Sequence, residues 1–364
     1  MKLLISLFAI VASMASILEE PSIISRVNCL EMKVFDDSPY EDLWRVRVWG
    51  EALYWKTSVD GLPFAHSYDT TAVAFPGVGT INLDHNRELH NVNLGYGPGF
   101  QFGLDMMIPF DNWDIALIWT RLYQSAGADT VRMPGTDLNT VWDQLGLFVA
   151  TTADATLTSH FQTIDLDLGK MILWSKPFSF RPYFGLRSAS LHFGEDIEYV
   201  GVLSNIGFPA DIDCNADITL KNNFSAFGLL TGLDTFWKFG WGFELFAAGE
   251  VTLLYGKFTL TQNETVISAS LTPNVVPLFT TETVFAVKSN FVFDGGLQWS
   301  YAYWKNRAKI ILSVSYEFSY WPNQILLERT IVQEPVTSAS PVTVIPAIGD
   351  IALQGFNFSL ALDF

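Results

Sequence analysis

The chain has 364 residues and a net charge of −17, with 49% hydrophobic and 15% aromatic residues, and a mean hydropathy of +0.24. So acidic a balance leaves no basic stripe to neutralise phosphates, which excludes a nucleic-acid-binding role. Two cysteines are too few for a disulfide scaffold. Past the N-terminus no run reaches the roughly 18 apolar residues of a membrane helix, so the apolar content is spread through alternating segments.

Met1, Lys2 and the apolar run Leu3–Val11 are followed by the small-x-small triplet Ser13-Met14-Ala15. Residues 1–15 are therefore expected to be a signal peptide, since the run is too short for a membrane anchor. Cys29 sits in Val-Asn-Cys-Leu without the small residues that precede a lipoprotein cysteine, so export without lipidation is expected. Residues 16–43 carry Glu19, Glu20, Glu31, Asp36, Asp37, Glu41 and Asp42 and read as a periplasmic N-terminal extension. Residues 44–364 read as an all-β, transmembrane antiparallel barrel of the bacterial outer membrane.

Period-two alternation marks the strands. The first, 44–56, sets Trp44, Val46, Val48, Ala52 and Tyr54 against Arg45, Arg47, Trp49 and Glu51. The second, about 93–108, sets Phe100, Phe102, Leu104 and Met106 against Gln101, Gly103 and Asp105; the third is 113–123. The fourth, about 159–174, opposes Ile164, Leu166 and Leu168 to Asp165 and Asp167, with Lys170 on the apolar side near an interface. The fifth (180–193) carries Arg181 and Arg187 opposite Phe184 and Leu186, and its pattern is less clean beyond. Strands follow at about 220–237, 243–257, 286–303 and 308–321. Gly355–Phe364 (GFNFSLALDF) is the last, with Phe356, Phe358, Leu360, Leu362 and Phe364 on one face.

That makes about ten strands, and the long loops have room for two or more others, Val141–Val149 being one candidate. Long polar connections (57–92, 124–158, 194–219, 258–285, 322–347) follow the odd strands, and tight turns (109–112, 175–179, 238–242, 304–307) follow the even ones. Long extracellular loops and short periplasmic turns are the asymmetry of outer-membrane barrels, and the even count returns both ends to the periplasm. Aromatics flank the short turns: Phe110, Trp113, Trp174, Phe178, Trp237, Trp241, Tyr303 and Trp304. Others, Tyr54, Trp55, Trp119, Tyr123, Tyr255 and Tyr320, mark the upper ends, so two interfacial girdles are expected. The last strand should close the barrel against the first. Phe364, an aromatic terminal residue, is its expected assembly signal, and Gly95, Gly97 and Gly99 suit a close-packed wall better than a phosphate loop.

WGEALYWK (Trp49–Lys56) and VDGLPFA (Val59–Ala65) resemble the opening of the pore-forming outer-membrane proteins of Legionella and of Chlamydia-related bacteria, the major-outer-membrane-protein-like porins. PGFQFGL (Pro98–Leu104), WDIALIWTRL (Trp113–Leu122), RPYFGLRSA (Arg181–Ala189) and LLYGKF (Leu253–Phe258) are similar too, so the resemblance runs from about residue 44 to the end. It implies an outer-membrane porin with no cofactor. It also raises cysteine cross-linking, although Cys29 and Cys214 fall on opposite sides of the membrane in this topology.

The polar faces supply sixteen lumen charges: Arg45, Arg47, Glu51, Asp105, Asp114, Asp165, Asp167, Arg181, Arg187, Asp234, Glu244, Glu250, Lys288, Asp294, Lys309 and Glu317. Acids outnumber bases ten to six, which predicts a weakly cation-preferring passive channel for small hydrophilic solutes or ions. The alternative is that these charges pair across a narrow lumen and plug it, leaving an adhesin or receptor barrel, because small barrels are filled by side chains. An outer-membrane hydrolase is a third reading: His66, His85, His90, His160 and His192 all fall near the outer end, and Asp84 and Glu88 lie close to two of them. Nothing fixes a catalytic or metal geometry among them, so no catalytic or metal residue is assigned. The expected partners are outer-membrane lipid, the barrel-assembly machinery and small polar solutes, with a homo-oligomer compatible.

Overall fold

The computed structural model describes residues 45–75, 79–109, 112–143, 148–203, 212–268, 275–303, 308–332 and 342–364. The expected signal peptide and N-terminal extension, Cys29, Trp44, Phe110 and the turn at 304–307 lie outside the described residues. The strands are β1 (Arg45–Val59), β2 (Pro63–Phe75), β3 (Gly79–Asn91), β4 (Tyr96–Met107), β5 (Trp113–Val131), β6 (Thr136–Thr140) and β7 (Phe148–Lys170). They continue with β8 (Ile172–Leu173), β9 (Phe178–Leu203), β10 (Ile212–Gly240), β11 (Phe243–Ile267), β12 (Val275–Tyr303), β13 (Ala308–Val332) and β14 (Val342–Asp363).

Ten of these close an antiparallel barrel: β1, β4, β5, β7, and β9 through β14. The expected closure is present, with β1 paired to β14 through Val48↔Leu362 and Tyr54↔Phe356. Beyond the end of β14, Val46 and Phe364 exchange two backbone hydrogen bonds of 2.8 and 3.0 Å. The additional strands lie outside the wall. β2 pairs with β3 and β6, and β8 is a short extension beside β9. Val141–Val149 is not one of them: Val141 and Trp142 form a bend, 144–147 lie outside the described residues, and Val149 already belongs to β7.

The longer barrel strands have two zones of opposite polarity, whereas β4 lies in the lower zone alone. In the lower zone apolar side chains point outward, as in β14, where Phe356, Phe358, Leu360, Leu362 and Phe364 are 40–58% exposed. At about 3.3 Å per residue these span roughly 26 Å, enough to cross a bilayer's apolar core. In the upper zone the faces invert. On β10, Cys214, Ala216, Ile218, Leu220 and Phe224 are buried inside, while Asp213, Asn215 and Asp217 are exposed outside. The strands therefore continue well beyond the membrane as a barrel with an ordinary apolar interior. The long connections expected from sequence are largely strand.

Both girdles are present, with one correction. Trp174, Trp237, Trp241 and Tyr303 are exposed beside the lower turns, and Tyr54, Trp119, Tyr123 and Tyr255 at the upper boundary. Trp55 instead points inward, 2% exposed, because position 55 shares the period-two face of Glu51. Gly240-Trp241-Gly242 takes three successive positive φ angles (101°, 52° and 83°), which is how so tight a turn is made and why glycines flank the tryptophan. Lys170 rests over the Trp113 ring, 5.5 Å from its centroid, as an interfacial snorkel would.

In the upper zone the wall is not continuous. Among the described residues, β12 and β13 pair only from Phe291↔Tyr320 downward. Pro322 has no N–H to offer and Asn323 has φ 50°, which ends the ladder there. Above that point β13 packs inward: the Asn222 amide donates to the Gln324 carbonyl at 3.2 Å, and Trp321 and Ile325 have no exposed surface.

Candidate functional site in the barrel lumen

The lower interior holds a cavity of about 360 Å³. Thirteen of the sixteen charges expected from sequence line it: Arg45, Arg47, Glu51, Asp105, Asp114, Asp165, Asp167, Arg181, Arg187, Asp234, Glu250, Asp294 and Glu317. Three do not. Glu244 is buried near Lys309 at the lower end. Lys288 lies above the cavity, 5.1 Å from the Phe258 ring centroid and donating to the Asn323 carbonyl.

Strand register brings the charges together. Asp165 on β7 stands directly opposite Arg187 on β9, and Arg181 directly opposite Asp234 on β10. Arg187 donates from Nε and Nη2 to the two Asp165 oxygens at 2.6 and 2.7 Å. Its Nη1 donates to Asn290 Oδ1 at 2.8 Å and lies 2.5 Å from Glu250 Oε1. Arg181 serves three carboxylates: Asp114, Asp167 at 2.6 Å and Asp234 at 3.1 Å. Its guanidinium occupies the space a side chain at Gly169 would need. At the rim Arg45 and Arg47 share Asp363 at 2.7 and 3.4 Å. Side-chain exposure falls from 44% at Arg45 to 13% at Arg181 and 8% at Arg187. The polar column thus runs from an exposed lower rim into a buried interior.

One side of the cavity is left acidic. Asp294 and Glu317 stand directly opposite each other on β12 and β13. Glu317 accepts from the Asn357 amide at 3.1 Å, and Asp294 Oδ1 has no hydrogen-bond partner among the described residues. With Asp363, ten carboxylates line the cavity against four guanidiniums.

Above the cavity stands an aromatic layer of Trp55, Phe161 and Trp321, each at most 5% exposed. The Phe161 ring centroid is 6.5 Å from Trp55 and 5.8 Å from Trp321, and the Trp55 indole donates to Asn357 Oδ1 at 2.6 Å. The apolar interior continues upward through the stacked Phe224–Phe258 pair, 4.4 Å between centroids. Trp142 and Phe64 complete it, the Trp142 indole bonding the Pro63 carbonyl at 2.9 Å. Among the described residues the upper interior is thus filled by apolar side chains.

The histidines fall in two separate groups. His66, His85 and His90 lie on the β2–β3 hairpin, where His90 bonds the Ser67 hydroxyl at 2.9 Å. His160 and His192 face outward on β7 and β9. Cys214 is buried in the upper core, out of reach of another chain.

The sequence reading omitted Asp363 from the lining, although its alternation placed it on the polar face. It also passed over the neutral groups that complete the networks, Asn290, Thr252, Tyr183 and Asn357. Their inward parity was the available signal, and counting only charges discarded it.

Residues 39–364 match the model of a family described as Legionella pneumophila major outer membrane protein precursor. No curated protein matches the chain. Among solved structures, the outer membrane protease OmpT of Escherichia coli is 10% identical with a TM-score of 0.40, the match covering 88% of this chain and 96% of that one. A Pseudomonas aeruginosa FadL homologue is 10% identical with a TM-score of 0.26, covering 89% and 90%. The P. putida toluene transporter TodX is 7% identical with a TM-score of 0.24, covering 88% and 90%. Similarity at this level carries no argument about activity.

Proposed function

Because the chain belongs to the Legionella major outer membrane protein family and resides in the bacterial outer membrane, we propose that it is a porin-type barrel. It passes small hydrophilic solutes or ions, prefers cations, and has its pore closed at the outer end in the conformation described. The observation that carries this reading is the acid excess of the lumen, ten carboxylates to four guanidiniums. An inert filling gains nothing from unbalanced buried charge, which costs several kcal/mol per ion unless compensated, on the order found for buried ions generally. A lumen that admits cations has a use for it. No catalytic role is part of this proposal.

The apolar interior above the aromatic layer favours a second reading, a plugged barrel acting through its outer surface as an adhesin or receptor. Planar-bilayer recordings separate the two. Purified folded protein should give small cation-selective steps, and Trp321→Ala, which thins the aromatic layer, should raise their size or frequency. No conductance from either protein would select the plugged barrel.

A further inference from the structure

The outer surface of β5, β7, β9 and β10 carries a patch that the lumen does not explain. Strand register aligns Arg121 with Gln162 and Ser190, and in the next row aligns Tyr123 with His160, His192 and Asn223. These are the first outward-facing rows above the apolar belt, whose upper edge here is Trp119, Ile164 and Leu186. Arg121, His160 and His192 are exposed. The polar groups around them are oriented: the Ser190 hydroxyl and the Asn223 side-chain oxygen lie 2.8 and 2.9 Å from the two His192 ring nitrogens. Tyr123 packs edge-on to His160 with centroids 4.3 Å apart.

In a chain of net charge −17, this patch contains no acid. The acids on the same outward faces stand further out: Asp196 on β9, then Asp129, Asp154 and Asp217. At about 3.3 Å per residue, Asp196 is roughly 13 Å along the strand from His192. Burial, and then the neighbouring His192 and Arg121, push the His160 pKa below its ordinary value. Tyr123 on β5 is the other titratable group against His160. A guanidinium and two imidazoles are therefore gathered without the carboxylates that so acidic a surface could readily supply.

We propose that Arg121 and His160 bind the phosphate of an outer-leaflet lipid headgroup, with His192 held beside them by Ser190 and Asn223. The belt edge fixes the height of the patch at the headgroup layer, and Arg121 supplies the forked donor geometry that phosphate accepts. Gln162 adds a neutral donor beside it. A bound phosphate would also remove the mutual repulsion of the two imidazoles and favour their protonation.

The test uses the full-length protein folded in detergent micelles doped with lipid A or with its dephosphorylated form. The wild type should bind the phosphorylated form about tenfold more tightly, and R121Q/H160Q/H192Q should lose that preference. A control that removes three cations elsewhere, R87Q/K176Q/R132Q, should keep it. By NMR, His160 should titrate at higher pH with lipid A than without. A triple variant that still unfolds cooperatively and retains the preference overturns the proposal, as does equal loss in the control. Displacement of lipid A by millimolar inorganic phosphate would assign a free-anion site and overturn the lipid assignment.

Discussion

Replacing Arg187 by Leu tests whether the lumen is a dry charge network or a water-filled channel. Arg187, Asp165 and Glu250 have side-chain exposures of 8%, 5% and 12%. Removing the guanidinium leaves both carboxylates without their shared cation and Asn290 without its donor. Truncating one member of a buried ion pair typically costs about 3–5 kcal/mol, because the remaining charge is stranded; an exposed pair is worth about 0–1 kcal/mol. Urea unfolding of the detergent-folded barrel, followed by tryptophan emission and heat-modifiable gel mobility, reads the difference. We expect R187L to fall in the larger range. The triple variant R187L/D165L/E250L, which removes the stranded charges too, should recover most of the loss. A single-variant cost below about 1 kcal/mol would show that water reaches the network, and would refute the inference that the interior at that level is dry.

Three other outcomes follow from the same geometry. Deleting Phe364 removes two backbone hydrogen bonds at the β1–β14 closure, and Arg at Leu360 and Leu362 puts charge on the lipid face at up to about 2–4 kcal/mol per site; either should abolish heat-modifiable barrel in isolated outer membranes, and normal assembly of both would remove the proposed assembly role. Gly169→Val should destabilise by about 1–3 kcal/mol, since its side chain must displace the Arg181 guanidinium; unchanged urea stability would contradict that packing. Glu195 sits above the membrane zone, 1% exposed, and among the described residues neither carboxyl oxygen has a hydrogen-bond partner. Burial, and secondarily Asp196, push its pKa up to about 8 from 4.5. The folded state therefore holds this proton more tightly than the unfolded chain. Its contribution is present below pH 4.5 and is lost as the pH rises through about 8. Glu195→Gln should flatten that decline, and a variant with the wild-type slope would show that Glu195 is not its source.

The membrane zone was legible because lipid imposes a single rule on every strand. A residue such as Leu362 must face out and a residue such as Asp363 must face in, so period two survives without interruption and gives strand count, parity and closure together. The upper zone obeys a different rule. Beyond about Ser225 on β10 the outer face meets water, so the same parity now puts Phe224, Leu220 and Ile218 inside and Lys221 and Asp217 outside. Read across that inversion, the pattern loses its phase, and the upper halves of β9 to β12 look like polar loops. Trp55 was misplaced for the same reason: aromatic character at a strand end suggests a girdle, while its parity with Glu51 fixes it inside.

The pairing of charges lay beyond single-strand reading, because it depends on register between strands. Asp165 meets Arg187 across 22 residues, and Arg187 meets Asn290 across 103. Composition could count the acids and bases but not say that two arginines would each serve several carboxylates. That distribution governs what the lumen can do. Arg181 and Arg187 hold the carboxylates on the β7–β9–β10 side, whereas Asp294 faces Glu317 with no arginine between them. A cation entering from the lower rim would therefore meet its least compensated negative charge on the β12–β13 side, immediately below Trp321. If the barrel conducts, the aromatic layer and that acidic side act in series: the carboxylates set which ions accumulate, and Trp321 sets whether they pass. Neutralising Asp294 should then change selectivity and leave the closed fraction alone, while trimming Trp321 should do the reverse.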